Sequence, residues 1–277
     1  MSNFIIQIPN KVLHFKHNVT VSPPCTLVVN HMHPGYEILY FVSGDATLII
    51  EDKQFYIRPG DLIIIPPMHY HYLQINSPSN YERYNVIFTL EDLGIVNDAI
   101  IPKIPIVNIT SNHIAVEIFK KMDYYYSTLN LENFIEVSKL LVRELFYALS
   151  AVGQSNENDF ASVLNPLLSD ALAYIKQNLY TLSGMSEIAN KLFVSESYLF
   201  YLFKTYVKTT PQRYITEKRL LAAKGLIAQG VKPTKAYEQV GFNDYTSFYR
   251  NYTKFFGYPP SSEHDEDKQA KIVFYNS

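Results

Sequence analysis

Two stretches near the C-terminal end, SGMSEIANKLFVSESYLFYLFKTYV (183–207) and PTKAYEQVGFNDYTSFYRNYTKFFG (233–257), repeat one pattern: a short helix, a tight turn and a second helix with one apolar and one exposed face. That repeat constrains the chain more than any other feature. A pair of helix-turn-helix units demands an all-α scaffold around it and offers each second helix to a major groove. The segment between them, 211–229, reads as one helix of roughly 28 Å at about 1.5 Å per residue. With its flanking turns it could hold two reading heads about 34 Å apart on one face of a duplex. Ser183, Ser195, Thr210-Pro211 and Asn243 fall where N-caps belong, and Gly230 and Gly257 fall where helices stop. Asn165-Pro166 reads as a further N-cap with Pro in the first helical position.

Charge agrees with a nucleic-acid partner. The formal net charge is -2, yet residues 166–260 hold nine Lys and Arg213, Arg219 and Arg250 against six acidic residues, a local balance of about +6. The 277 residues, 47% hydrophobic and 18% charged, suit two globular domains. A lone Cys25 excludes an intramolecular disulfide. MSNFIIQIPN lacks a cationic start followed by an apolar core, and no run is apolar enough to span a bilayer, so a cytoplasmic protein with no membrane partner is expected.

The first hundred residues follow a different period. Short apolar or alternating runs (TLVVNHMH, EILYFVSG, ATLIIEDKQFYI, DLIIIPP, HYHYLQI, YNVIFTL) alternate with turn signals every eight or so residues, which predicts a β-sandwich or barrel. From Thr110 to Val152 helical spacing takes over, with Ile118, Met122 and Tyr125 on one helix and Phe134, Leu141, Leu145 and Leu149 on another. The expected fold class is therefore α+β and multidomain: a β-barrel over 1–108, a helical connector and linker over 109–160, an all-α domain with two helix-turn-helix motifs over 161–262, and an acidic tail over 263–277.

On the first reading helix Leu199, Leu202, Phe203 and Tyr206 should face the core, leaving Glu196, Ser197, Phe200, Tyr201 and Lys204 outward. On the second, Phe248, Tyr252, Phe255 and Phe256 face inward and Tyr245, Thr246, Tyr249, Arg250 and Lys254 remain to meet DNA. Arg250 is the expected base reader, because guanidinium bonds bidentately to guanine O6 and N7; Phe200 and Tyr201 offer apolar contact with a thymine methyl, or one hydroxyl. Arg213, Lys218, Lys232 and Lys235 are candidate phosphate contacts.

On IANKLFVSESYLFYLFK, TPQRYITEKRLLAAKGLI and VGFNDYTSFYRNYTKFFGYPP, residues 166–260 resemble the DNA-binding region of AraC-type transcriptional regulators. The resemblance implies a factor that binds double-stranded promoter DNA with both heads under control of the other domain. Lys208 stands where that family generally places Gly, and Phe200 and Tyr201 replace commoner polar readers.

In the N-terminal region, His31-x-His33-x3-Glu37-x6-Gly44, followed by Gly60-x5-Pro66 and His71, resembles the two motifs of the cupin superfamily. Three imidazoles and a carboxylate in one barrel permit Mn, Fe, Ni or Zn. Met68, Cys25 and Ile75 depart from those motifs, so no metal and no cofactor is assigned. His31, His33, Glu37, Tyr40 and His71 are instead expected to contact a small polar effector, a sugar among the candidates, with Tyr70 and Tyr72 beside them. His69 would replace His71 if the strand slipped by two residues. The expected partners are promoter DNA, the effector, RNA polymerase and a second copy of the chain, paired through Leu141, Leu145 and Leu149. A metal-dependent cupin enzyme with a helical appendage is the competing expectation.

Overall fold

The computed structural model describes residues 13–25, 30–95, 100–101, 106–150 and 161–263. The expected linker at 153–159 and nearly all of the acidic tail lie outside these. The chain divides into two compact units, one reaching Ser162 and the other running from Val163 onward and including 51–53.

In the first unit two sheets stand where a barrel was expected. One has the order β1 (His14–Thr20), β7 (Tyr81–Phe88), β2 (Tyr36–Ser43), β5 (Asp61–Ile65), β8 (Ile106–Asn108). The other has the order β6 (His71–Ile75), β3 (Ala46–Ile50), β4 (Lys53–Ile57), β9 (Ala161–Val163). The architecture is an open sandwich: β2 pairs with β5 and β7 while β3 pairs with β6, and the chain changes sheet at Ser43-Gly44-Asp45, just after a register shift between Phe41 and Ser43. Leu39, Phe41, Ile63 and Ile65 from one sheet meet Leu48, Ile50, Leu73 and Ile75 from the other in a shared apolar layer.

The opposite face of the five-stranded sheet carries α1 (His113–Thr128) and α2 (Leu131–Ser150). Asn112 caps α1 by accepting from the Ala115 amide. Ile38, Tyr40, Leu62, Ile64, Tyr84 and Val86 pack there against Ile118, Phe119, Met122 and Phe134. Leu141, Leu145 and Leu149, expected in a seam between subunits, are buried in this same layer. An amphipathic stripe cannot say whether it covers its own sheet or a partner, and here the sheet takes it.

The second unit is all α: α3 (Pro166–Asn178), α4 (Met185–Lys191), α5 (Glu196–Leu202), α6 (Pro211–Ala228), α7 (Pro233–Gln239) and α8 (Tyr245–Phe256). The caps Asn165, Ser195 and Thr210 accept the expected amides. Two do not follow the sequence reading. Gly184 occupies the N-cap of α4 while Ser183 donates its amide and hydroxyl to Glu187, and Asp244 rather than Asn243 caps α8. After α5 the chain widens into a π turn over Phe203–Val207 and ends at Lys208 in the left-handed conformation, φ 57°. Phe248 and Tyr252 are fully buried, with Phe255 and Phe256 packed against them.

Phe193, in the turn between α4 and α5, combines φ 56° with 95% exposure. A bulky L-residue in that region costs about 1 kcal/mol or more, and an exposed ring recovers none of it by packing. Phe193→Gly should therefore raise the stability of this unit by about 0.5 to 1 kcal/mol, read as a higher midpoint in urea at unchanged slope.

Candidate functional site

The sensor site begins with strand alternation. Glu37 precedes Leu39 and Phe41 on the inner face of β2, and His71 precedes Leu73 and Ile75 on the inner face of β6, so both stand at one end of the layer between the sheets. Reciprocal backbone bonds between His31 and His71 bring a third strand-like segment beside them. The backbone amide of Met68 donates to the His33 carbonyl, and Met68 itself, at the motif's glycine position, adopts φ 68°.

His31, His33, Glu37 and His71 converge, their ligand atoms all within 4.8 Å of one another. Glu37 Oε2 lies 3.0 Å from Nε2 of both His33 and His71, and 3.9 Å from Nε2 of His31. Asn85 Nδ2 donates to Glu37 Oε1. His33, Glu37 and His71 are buried; His31 is 40% exposed and marks the open side. His69 instead turns its Nδ1 to the Pro67 carbonyl, so the register selects His71. Tyr40 does not join the group: three residues from Glu37, it alternates to the other face of β2 and stacks on Phe119 at 4.7 Å. Tyr72, adjacent to His71, alternates away in the same manner.

Carbonyls only accept, so His33 Nδ1, 2.9 Å from Gly35 O, and His71 Nδ1, 2.9 Å from His69 O, must carry protons. Burial, with His31 beside it, pushes His71 down to about 4, so at neutral pH its Nε2 holds a lone pair. Burial pushes Glu37 up, but the bonds from His31, His33 and His71 outweigh it and hold the carboxyl well below its usual range. Three imidazoles with one carboxylate form a donor set for a divalent first-row transition ion rather than Mg or Ca. Such an ion would sit on His31, His33, Glu37 and His71 and supply a Lewis-acidic anchor at the open side. The Nδ1 bonds of His33 and His71 are the orienting contacts a metal-bound imidazole needs.

In the second unit α5 and the π turn after it leave Glu196, Ser197, Phe200, Tyr201 and Lys204 exposed, as the spacing predicts, and Tyr198 is exposed as well, stacked on Tyr201. The Lys204 ammonium lies over the Phe200 ring at 5.9 Å. Glu196 accepts from the Ser186 hydroxyl, which ties the acid to α4. On α8 Thr246, Tyr249, Arg250 and Lys254 are exposed, whereas Tyr245 is half-buried against Tyr237 and Phe248. Among the candidate phosphate contacts, Arg213 is exposed and pairs with Glu217, Lys232 and Lys235 are exposed, and Lys218 is half-buried with its ammonium over the Tyr214 ring.

Residues 188–263 match the family of helix-turn-helix domains, and residues 26–105 match the AraC-like ligand binding domain. The chain is an AraC-type transcriptional regulator. Its relatives include the raffinose operon transcriptional regulatory protein RafR of Pediococcus pentosaceus, 23% identical over 247 residues that cover 86% of this chain and 88% of that one. The probable transcriptional regulator LumQ of Photobacterium leiognathi is 34% identical over 99 residues, 35% of this chain and 39% of LumQ. A crystal structure of apo ToxT from Vibrio cholerae aligns over 90% of this chain and 96% of its own at 14% identity, with a TM-score of 0.38.

Two residues that the sequence reading passed over hold this AraC-type regulator's heads together. Arg219 of α6 donates Nε to the Leu179 carbonyl at 2.8 Å, Nη2 to Leu182 at 2.6 Å and Nη1 to Gly241 at 2.7 Å. The first two carbonyls belong to the lead-in of one helix-turn-helix and the third to the turn of the other. Gly241 has φ +85°, and a Cβ there would lie 2.2 Å from the Tyr180 carbonyl oxygen. A signal existed: Arg219 falls in register with Ile215, Ala223 and Ile227 on the buried stripe of α6, where an unpaired Arg would be costly.

Proposed function

We propose that this regulator binds promoter DNA through α5 and α8 and that a small polar metabolite in the sandwich unit shifts the population of DNA-competent protein. The observation that carries this reading is the pair of exposed, cation-bearing helix faces joined by one half-buried guanidinium. Arg250 reads a base, Ser197, Tyr245, Thr246 and Tyr249 lie along the same groove surface, Phe200 and Tyr201 contact thymine methyls, and Lys204, Lys232, Lys235 and Lys254 meet phosphates. The effector enters beside His31 and contacts His33, Glu37 and His71. A raffinose-operon regulator among the relatives supports a sugar-like effector. The protein acts in the cytoplasm, where its promoter-bound form adjoins RNA polymerase. It pairs with a second copy through the outer face of α2, where Leu140 and Tyr147, seven residues apart, are 65% and 64% exposed.

The test is a gel-shift titration of duplex DNA at rising salt. Affinity should fall linearly in log-log form with a slope of several phosphates' worth, and Arg250→Ala should cost about 1 to 3 kcal/mol at every salt concentration. Binding that ignores salt, or an Arg250→Ala variant indistinguishable from the parent, would overturn the assignment of these heads.

A further inference from the structure

The inner face of β1 and β7 carries polar groups that the fold does not satisfy. Phe15, Tyr84, Val86 and Phe88 point to the helical layer, so Lys16, Asn18, Arg83 and Asn85 alternate to the side where Glu37 lies. Register places Lys16 opposite Asn85 and Asn18 opposite Arg83. Asn18 Oδ1, Arg83 Nε and Asn85 Oδ1 are buried with no hydrogen-bond partner. Among the described residues neither Lys16 nor Arg83 has a carboxylate within ion-pair distance, and the nearest acid of this face, Glu37, is already engaged by Asn85 and the imidazoles.

Orphaned buried polar atoms are rare in folded proteins, and each one costs about 1 to 3 kcal/mol. Three within two cross-strand rows, one of them on Arg83, whose guanidinium lies 5.7 Å from the Tyr81 ring centroid, with the Lys16 ammonium in the next row, describe a surface waiting for a ligand rather than a core. We propose that the effector carries an oxyanion, a carboxylate or a phosphate ester, bound by Lys16 and Arg83 on the inner face of β1 and β7. Rotation of the Asn18 amide lets it present N–H donors to the bound anion, while Asn85, whose Nδ2 is held by Glu37, keeps its Oδ1 free to accept from an adjacent hydroxyl. The inference rests on the regulator reading and names its effector class. Burial, then the neighbouring Arg83, pushes the Lys16 ammonium down, so an arriving anion relieves repulsion already stored between the two cations.

Thermal melting of the full chain tests the proposal with inorganic phosphate, malonate and raffinose as probes against sodium chloride at matched ionic strength. Phosphate or malonate should raise the midpoint in step with the logarithm of its concentration, with the more effective anion naming the ester or the carboxylate. Arg83→Gln should weaken that response at least roughly tenfold, and Lys16→Met, at a half-exposed position, should do the same if the first variant folds poorly. A response to raffinose alone, equal shifts in wild type and both variants, or no anion response would overturn the inference. Gel shifts of the wild-type protein in the same buffers read the regulator assignment separately: DNA binding without an anion response leaves that assignment intact, and an anion response without DNA binding removes it.

Discussion

Arg219→Ala should destabilise the DNA-binding unit by about 3 to 5 kcal/mol, because three backbone carbonyls lose a charged donor at once. Loss of that size is comparable to the whole stability of a small domain. Gly241→Ala should reach a similar outcome by another route. Its φ of +85° strains any L-residue, and the added Cβ cannot clear the Tyr180 carbonyl without moving backbone. Gly230→Ala supplies the control, since φ there is +94° and nothing lies within 4 Å of the new Cβ. Gly230→Ala should cost only about 1 kcal/mol of backbone strain, so the difference between the two variants in urea denaturation isolates the clash. At temperatures where both still fold, Gly241→Ala alone should lose affinity for DNA that engages both heads, since only it disturbs the contact between them. Equal midpoints for the two glycine variants would show that this contact does not matter.

The second large effect concerns Glu37 and depends in sign on what replaces it. Glu37→Ala strips a buried partner from Asn85, His33 and His71 and should cost about 3 to 5 kcal/mol. Glu37→Gln should be neutral or mildly stabilising in metal-free protein at pH 8. Its carbonyl still accepts from Asn85, while its amide can donate to the lone pair on His71 Nε2. If the imidazoles were instead both protonated around an ionised Glu37, the same change would remove ion pairs and destabilise. Calorimetry of the two variants, with and without added Zn or Ni, separates these cases, and the gain from metal should vanish in Glu37→Gln. Because His71 is pushed down to about 4 from an unfolded value near 6.5, its contribution is complete above about pH 6.5 and is lost as pH falls toward 4. The depressed Glu37 acts in the same direction at lower pH. Metal-free protein should therefore unfold while taking up protons across that window.

Residues whose environment is decided by neighbours two, three or four positions away stand where their spacing predicts. The outward face of α5, that of α8 apart from Tyr245, the caps Asn165, Ser195 and Thr210, and the grouping of His31, His33, Glu37 and His71 all have that character. Tyr40 and Tyr72 were expected beside the histidines although they lie an odd number of residues from Glu37 and His71, and period-2 alternation alone sends them to the other face. Asn85 announced itself weakly, as one amide between Tyr84 and the apolar run Val86–Phe88. Lys16 and Arg83 gave no signal, because charged residues on edge-paired strands are ordinarily solvated.

Local pattern determined the helical and extended segments, the exposed faces of α5 and α8 and the residue types of the histidine cluster, since those rest on short-range periodicity and on residue type. Tertiary structure decided which surface each stripe covers. It spent Leu141, Leu145 and Leu149 on the sheet, opened the barrel into a sandwich and set Arg219 between three carbonyls from segments about 20 to 40 residues away. Burial and unpaired polar atoms are properties of what surrounds a residue in space, and no window along the chain contains those surroundings.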